Sequence, residues 1–269
     1  MENKVLTADE VDHFWTEGYV LVKNAATPAE TREGRAAIMG LLPADLNLPD
    51  TYASHGGRIK PHNPDGNHSY YTPELIPLLG SERLYGAASD IFGHDFLGVG
   101  DGSVGITLTD SSGPTLSQRL HLDMHRPDVI DEGTLRNKVG IGGCYYLSDV
   151  EAGGAGIHII PGGPAIVAER ALEQASRGEV EFPKTFEDYP ESIEITGEAG
   201  DFVMMHHLMP HAASRNRLGR PRVVQFTRYR HLDPDAAANA RVSEDRFSSA
   251  QLAAMTPLTR KLFGLDAWL

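Results

Sequence analysis

The sequence predicts a mainly β domain, a barrel or sandwich, buttressed by helices. Two observations carry this. Helical periodicity dominates about the first 95 residues and returns in the tail, and the stretch between reads as short strands divided by Gly, Pro, Asp and Ser, interrupted by one helix-like segment. A third observation concerns chemistry: the 269 residues include 12 His, several of them clustered.

The N-terminal elements follow from capping signals. Thr7-Ala8-Asp9-Glu10 is a capping box, Val11, Phe14 and Trp15 follow at helical spacing, and Gly18 suits a C-cap. Tyr19-Val20-Leu21-Val22 reads as a short strand. Thr27-Pro28-Ala29-Glu30 opens a second helix with Pro in its first turn. Residues 43–73 are polar and long for a structureless loop, and their aromatics (Tyr52, Tyr70, Tyr71) point to a lid. A third helix covers Ser81 to Phe92, with Leu84, Ala88 and Ile91 on one face.

Strands are expected at Gly105–Thr109, Gln118–Met124, Val139–Leu147, Gly156–Ile160, Ser192–Ile195, Asp201–His206 and Arg222–Tyr229, with a helix at Pro164–Arg177 between them. The last 45 residues or so read as surface elements, with helices near Ser249–Met255 and Leu258–Phe263. No repeat or linker divides the chain. It is read as one domain, residues 1–269: a helical part to about 95, a β core over about 96–230, and a helical tail over about 231–269.

Composition narrows the function. The formal charge of −13 disfavours nonspecific nucleic-acid binding. No run of about 18 apolar residues exists, so no membrane span is expected, and the polar N-terminus has no signal-peptide core. One cysteine, Cys144, excludes an intrachain disulfide and multi-thiolate zinc sites. A cytoplasmic protein is the expectation; oligomeric state is left open.

The chemistry-bearing element is Gln118-Arg119-Leu120-His121-Leu122-Asp123. On a strand, residues i and i+2 share a face about 6.5–7 Å apart, so His121 and Asp123 can reach one metal. One carboxylate with two imidazoles is the facial triad of non-haem Fe(II) oxygenases. His-x-Asp alone is a weak signal, since His231-Leu232-Asp233 repeats it with no later His; that copy is read as a solvated turn. The third ligand is sought in His206-His207-Leu208-Met209-Pro210-His211, where His211 is preferred. His207 and His211 would chelate together only on a helix, and Gly200 and Pro210 argue against one. Eleven residues further, Arg222 opens Arg222-Val223-Val224-Gln225-Phe226-Thr227-Arg228-Tyr229, which alternates on strand period. An Arg at the floor of an apolar pocket suits bidentate carboxylate binding; otherwise it is a surface Arg like Arg215, Arg217 and Arg220.

Over about residues 5–230 the chain resembles the phytanoyl-CoA dioxygenase family of Fe(II)/2-oxoglutarate-dependent oxygenases. The resemblance rests on Leu6–Val22, on Gln-x-x-His-x-Asp at 118–123, on Tyr145–Val150 through Ile159–Gly163, and on His211–Asn216 with Arg222. It implies a double-stranded β-helix (jelly-roll, cupin-like) core, Fe(II) held by His121, Asp123 and His211, and O2 and 2-oxoglutarate as cosubstrates. Arg222 would bind the distal carboxylate of 2-oxoglutarate, with Gln118 as a polar contact. The chain departs from the family at Ala213, near Cys144, and at Pro161-Gly162-Gly163-Pro164. The implied reaction is hydroxylation of an unactivated C–H bond of a small molecule, with release of succinate and CO2. Substrate contacts are sought among Lys60, His62, His68, Tyr70, Tyr71, His125, Arg126 and Tyr146. The competing readings are a zinc or manganese hydrolase or cupin-type enzyme with the same triad, for which no His-Glu-x-x-His is present, and a non-catalytic jelly-roll binding protein.

Overall fold

The computed structural model describes residues 4–42, 57–59, 72–109, 120–123, 140–178 and 185–269. Helix α1 (Ala8–Glu17) starts at the expected box: Thr7 accepts from the Glu10 amide while Glu10 reaches back to the Thr7 amide. It stops at Gly18, which is left-handed at φ 85°. A side chain there would also strike Pro164 and Met209, with a Cβ placed 2.4 Å and 2.7 Å from their nearest atoms. Gly18 therefore lets the end of the N-terminal helix sit directly against Pro164 and against Met209, two residues before His211. Strand β1 (Tyr19–Val22) and helix α2 (Pro28–Met39) follow, the latter through the Thr27–Glu30 box. After β2 (Gly57–Ile59) and the one-turn α3 (Ile76–Leu79) comes α4 (Glu82–Phe92), which buries Leu84, Ala88 and Ile91 together.

The β core contains β3 (Leu97–Leu108), β4 (Gly140–Tyr146), β5 (Ile157–Ile159), β6 (Ile193–Ile195), β7 (Phe202–His206), β8 (His211–Ala213) and β9 (Arg222–His231), with α5 (Gly163–Ser176) inserted between β5 and β6. One antiparallel sheet has the order β1-β7-β4-β9-β3-β2; a second has the order β6-β5-β8. An antiparallel bridge between His121 and His211 adds the 120–123 segment beside β8. Counting the 120–123 segment between β3 and β4, the chain from β3 onward crosses between the sheets at each step except β5 to β6. That is the double-stranded β-helix.

Alternation along the strands separates two cores. On one face of the large sheet, Cys144, Tyr146, Val203, Met205 and Val224 pack with Ile157, Ile159 and Ile195 of the small sheet. On the other, Ile141, Tyr145, Phe202, Met204, Val223 and Tyr229 pack against the helices. Because both faces are covered, β7 is buried throughout, and its sequence reads as a continuous apolar run. The helix side also satisfies its polar groups. The Tyr145 hydroxyl donates to the Leu78 carbonyl (2.8 Å) and Tyr229 reaches the Leu79 carbonyl (3.4 Å), which caps the end of the short α3, while Gln225 reaches the Leu75 carbonyl at its start (3.4 Å). Buried Asp201 accepts from Lys23 Nζ (2.6 Å) and from the Asn24 and Glu198 amides, tying the end of β1 to the start of β7.

The structure differs from expectation in several places. Strand β3 begins at Leu97 rather than Gly105: Gly98, Gly100 and Gly102 lower its strand signal, and a bulge between Asp101 and Val104 breaks the alternation. Strand β8 is too short to show a period. Strand β2 lies inside the stretch read as a loop; the rest of the lid falls outside the described residues. His231-Leu232-Asp233 is no bare turn. His231 ends β9 with Nδ1 3.2 Å from His94 Nε2, and Asp233 caps α6 (Pro234–Ala237) by accepting from the Ala236 amide. After α7 (Ser249–Ala253) and α8 (Pro257–Phe263), the tail packs inward: Thr259 and Leu262 are buried, and Trp268 stacks on Tyr85 and donates to the Leu97 carbonyl (3.0 Å). Among the described residues no helix is long and apolar enough to cross a membrane.

Candidate metal centre

The His121–His211 bridge builds the site. Each backbone amide donates to the other's carbonyl at 3.0 Å, so the two residues sit directly opposite and their side chains leave the sheet on the same face. The ring centroids are 4.5 Å apart. Asp123, two residues on, brings Oδ1 to 3.7 Å from Nε2 of both His121 and His211. One ligand atom from each of the three residues falls within a 4.8 Å cluster. An ion bound at about 2.1 Å would draw such atoms in to about 3 Å of one another.

The tautomer of His211 suits this. Its Nδ1 lies 2.9 Å from the Met209 carbonyl, an acceptor only, so Nδ1 carries the hydrogen and the Nε2 lone pair is left available to an ion between the three side chains. Burial lowers the His211 pKa and keeps the imidazole neutral, against the opposing pull of Asp123. For Asp123, burial pushes the pKa up, but His211, Arg228 and His121 together outweigh it and hold the carboxyl below its ordinary value. Arg228 Nη2 donates to Asp123 Oδ2 at 2.7 Å.

A cavity of about 330 Å³ opens beside these residues, lined by Gly140 and Gly142 of β4, by Met205, His206 and His207, and by Arg228. The two β4 glycines present no side chains to it. His206 and His207 stack at 4.6 Å, and Trp15 of α1 meets His206 edge-on at 6.2 Å. Burial, then the neighbouring His206, push the His207 pKa down to about 3.

Arg222, Val224, Phe226 and Arg228 share the inner face of β9. Arg222 is 2% exposed. Its Nη2 lies 3.6 Å from Cys144 Sγ and its Cζ 5.5 Å from the Tyr146 ring centre, while buried Nε and Nη1 have no hydrogen-bond partner among the described residues. An uncompensated guanidinium is costly to bury. Unfilled, buried N–H donors on a guanidinium suit an anion, and the distal carboxylate of a keto-diacid has that chemistry.

Of the remaining residues singled out in the sequence, Tyr146 lies in the barrel interior: its hydroxyl donates to the Ile195 carbonyl (2.7 Å) and accepts from the Ile157 amide (3.0 Å), and it does not line the cavity. Gln118, Lys60, His62, His68, Tyr70, Tyr71, His125 and Arg126 lie outside the described residues. The sequence reading missed Arg228. Its signal was present, because 222, 224, 226 and 228 share a face at strand period. It also missed the stacked His206–His207 pair, which sequence spacing does not reveal.

No family model matches the chain, and no curated protein matches it. Solved structures do. HygX from Streptomyces hygroscopicus with nickel, 2-oxoglutarate and hygromycin B bound superposes with a TM-score of 0.55 at 17% identity, covering 84% of this chain and 88% of that one. The non-haem α-ketoglutarate-dependent carbocyclase SnoK from nogalamycin biosynthesis gives 0.54 at 18% identity, with 85% of each chain covered. The epimerase SnoN in complex with Fe3+, α-ketoglutarate and nogalamycin RO gives 0.51 at 15% identity, covering 83% of this chain and 82% of that one. The chain shares its fold with these enzymes.

Proposed function

We propose that this protein is an Fe(II)- and 2-oxoglutarate-dependent dioxygenase that oxidises, by hydroxylation, an unactivated C–H bond of a small molecule. The observation that carries the reading is a pairing. Two imidazoles and one carboxylate converge at a cavity, and the same barrel interior holds a buried arginine whose Nε and Nη1 lack partners among the described residues. A hydrolase or a plain cupin site uses the first feature and leaves Arg222 idle. The solved relatives support the reading, since HygX carries nickel with 2-oxoglutarate and SnoN carries Fe3+ with α-ketoglutarate.

His121, Asp123 and His211 would hold the metal on one side and leave its other positions open. When bound, Fe(II), 2-oxoglutarate and O2 supply an oxidant able to take hydrogen from an unactivated C–H bond, with succinate and CO2 as co-products. Arg222 anchors the distal carboxylate and so fixes which way the cosubstrate lies. The apolar lining from Val224, Val203 and Met205 keeps water away from that anchor. The Met209 carbonyl holds the His211 ring in its ligating tautomer. The substrate would enter the cavity walled by Gly140, Gly142 and the His206–His207 pair, which places its target bond next to the metal. A carboxylate at 123 occupies a coordination position that a halide would need, which favours oxygenation over halogenation.

The test is anaerobic loading with Fe(II), then measurement of O2-dependent CO2 and succinate release from 2-oxoglutarate, with and without small-molecule candidates. Turnover that needs Fe(II), 2-oxoglutarate and O2 together supports the reading. Metal-dependent hydrolysis with no 2-oxoglutarate requirement would overturn it.

A further inference from the structure

The triad carboxylate is divided between two tasks. Its Oδ1 faces the Nε2 atoms of both histidines at 3.7 Å, while its Oδ2 accepts from Arg228 Nη2 at 2.7 Å. Among the described residues, the bridge at His121 ties the Asp123 segment to β8. An Asp carboxylate can turn about χ2 unless something holds one of its oxygens. The Arg228 side chain reaches it from the opposite sheet. In register, Arg228 pairs with Gly142 of β4, and an added Cβ at Gly142 would lie only 3.6 Å from Arg228 Cγ. The stem therefore runs close over a glycine before the guanidinium meets Asp123.

The pair adds little to folding. Arg228 and Asp123 side chains are 49% and 38% exposed, and ion pairs this open to solvent contribute little to folding. Its geometry serves something other than stability.

We propose that Arg228 is a positioning residue for the metal centre: it holds Oδ2 of Asp123 so that Oδ1 is presented to the ion, and thereby sets metal affinity. This rests on the metal reading above. Partners that orient a ligating side chain in this way are typically worth 10–100-fold in metal affinity. The opposite expectation is equally physical. A guanidinium beside a dication repels it and competes for the carboxylate, so a residue that merely neutralises Asp123 would weaken metal binding.

The experiment titrates the full-length protein with Co(II), followed by visible absorption, for wild type, Arg228→Met, Arg228→Gln and, as a control for another exposed arginine ion pair outside the cavity lining, Arg220→Met. Arg220 pairs with Glu151 at 2.7 Å. Arg228→Met should bind Co(II) 10–100-fold more weakly. Arg228→Gln, which keeps an N–H donor for Oδ2, should recover part of that loss, and Arg220→Met should match wild type. Melting temperatures of the metal-free variants should stay within a few degrees of wild type. Unchanged or tighter Co(II) binding by Arg228→Met overturns the assignment while leaving the triad intact. Wild type that takes up no Co(II), or an Asp123→Ala variant that takes it up as well as wild type, overturns the metal reading and the assignment together.

Discussion

The two faces of the large sheet are built from the same strands and treat polar groups in opposite ways. On the helix side, Tyr145 and Tyr229 hand their hydroxyls to the carbonyls that end α3. Gln225 Oε1 and Thr227 Oγ1 lack partners there among the described residues, but both are neutral. On the side enclosed by the second sheet, three residues from Gln225 on the same strand, Arg222 keeps charged N–H groups without a partner among those residues. Neutral buried groups cost about 1–3 kcal/mol when unsatisfied, and a buried charge costs much more. One face is therefore optimised for folding, and the other holds a deficit that a bound dianion would cancel.

Four experiments would break or sharpen that contrast. The largest effect is expected from Asp123→Ala, which should bring succinate formation to background and leave thermal unfolding nearly unchanged; full turnover in this variant would remove the basis for the oxygenase reading. Next is Arg222→Met. Losing one partner of a buried charge-assisted contact costs about 2–5 kcal/mol of binding, so the KM for 2-oxoglutarate should rise at least 30-fold. The same change should raise the melting temperature of the ligand-free protein, since it removes a buried charge that has no counter-charge among the described residues. A variant that is less stable and still binds 2-oxoglutarate normally would show that the two faces do not differ as described.

Tyr145→Phe probes the opposite face. It leaves the Leu78 carbonyl without its donor and should cost about 1–3 kcal/mol of stability, measured by denaturant unfolding, with no change in KM for 2-oxoglutarate. The smallest effect concerns His207. Its folded pKa, about 3, lies below the unfolded value of about 6.5, so the unfolded chain takes up the proton first. The neutral ring's contribution is complete above pH 6.5 and is lost as pH falls from there toward 3. His207→Phe keeps the stack on His206 without the titration. It should flatten this decline, raising the melting temperature near pH 5.5 by about 2–4 °C relative to wild type after matching the two at pH 8.

The helices were legible because their signals are local. Thr7–Glu10 and Thr27–Glu30 close their caps within four residues, and Leu84, Ala88 and Ile91 share a face by helical geometry alone. The glycine-rich start of β3 and the three-residue β8 were not legible, since their stability comes from partners such as β9 and β5 rather than from their own pattern. Strand period also placed His121 beside Asp123, and Arg222 on one face with Val224 and Phe226. By itself, then, the sequence determined which side chains share a strand face and where helices begin, because both follow from backbone geometry over a few residues. Only the tertiary structure decided that His211 would sit opposite His121, that Arg228 would cross from the other sheet to Asp123, and that Arg222 would be sealed in without a counter-charge among the described residues. Those outcomes depend on how two sheets are registered against each other, and that register is set by long-range pairing and packing.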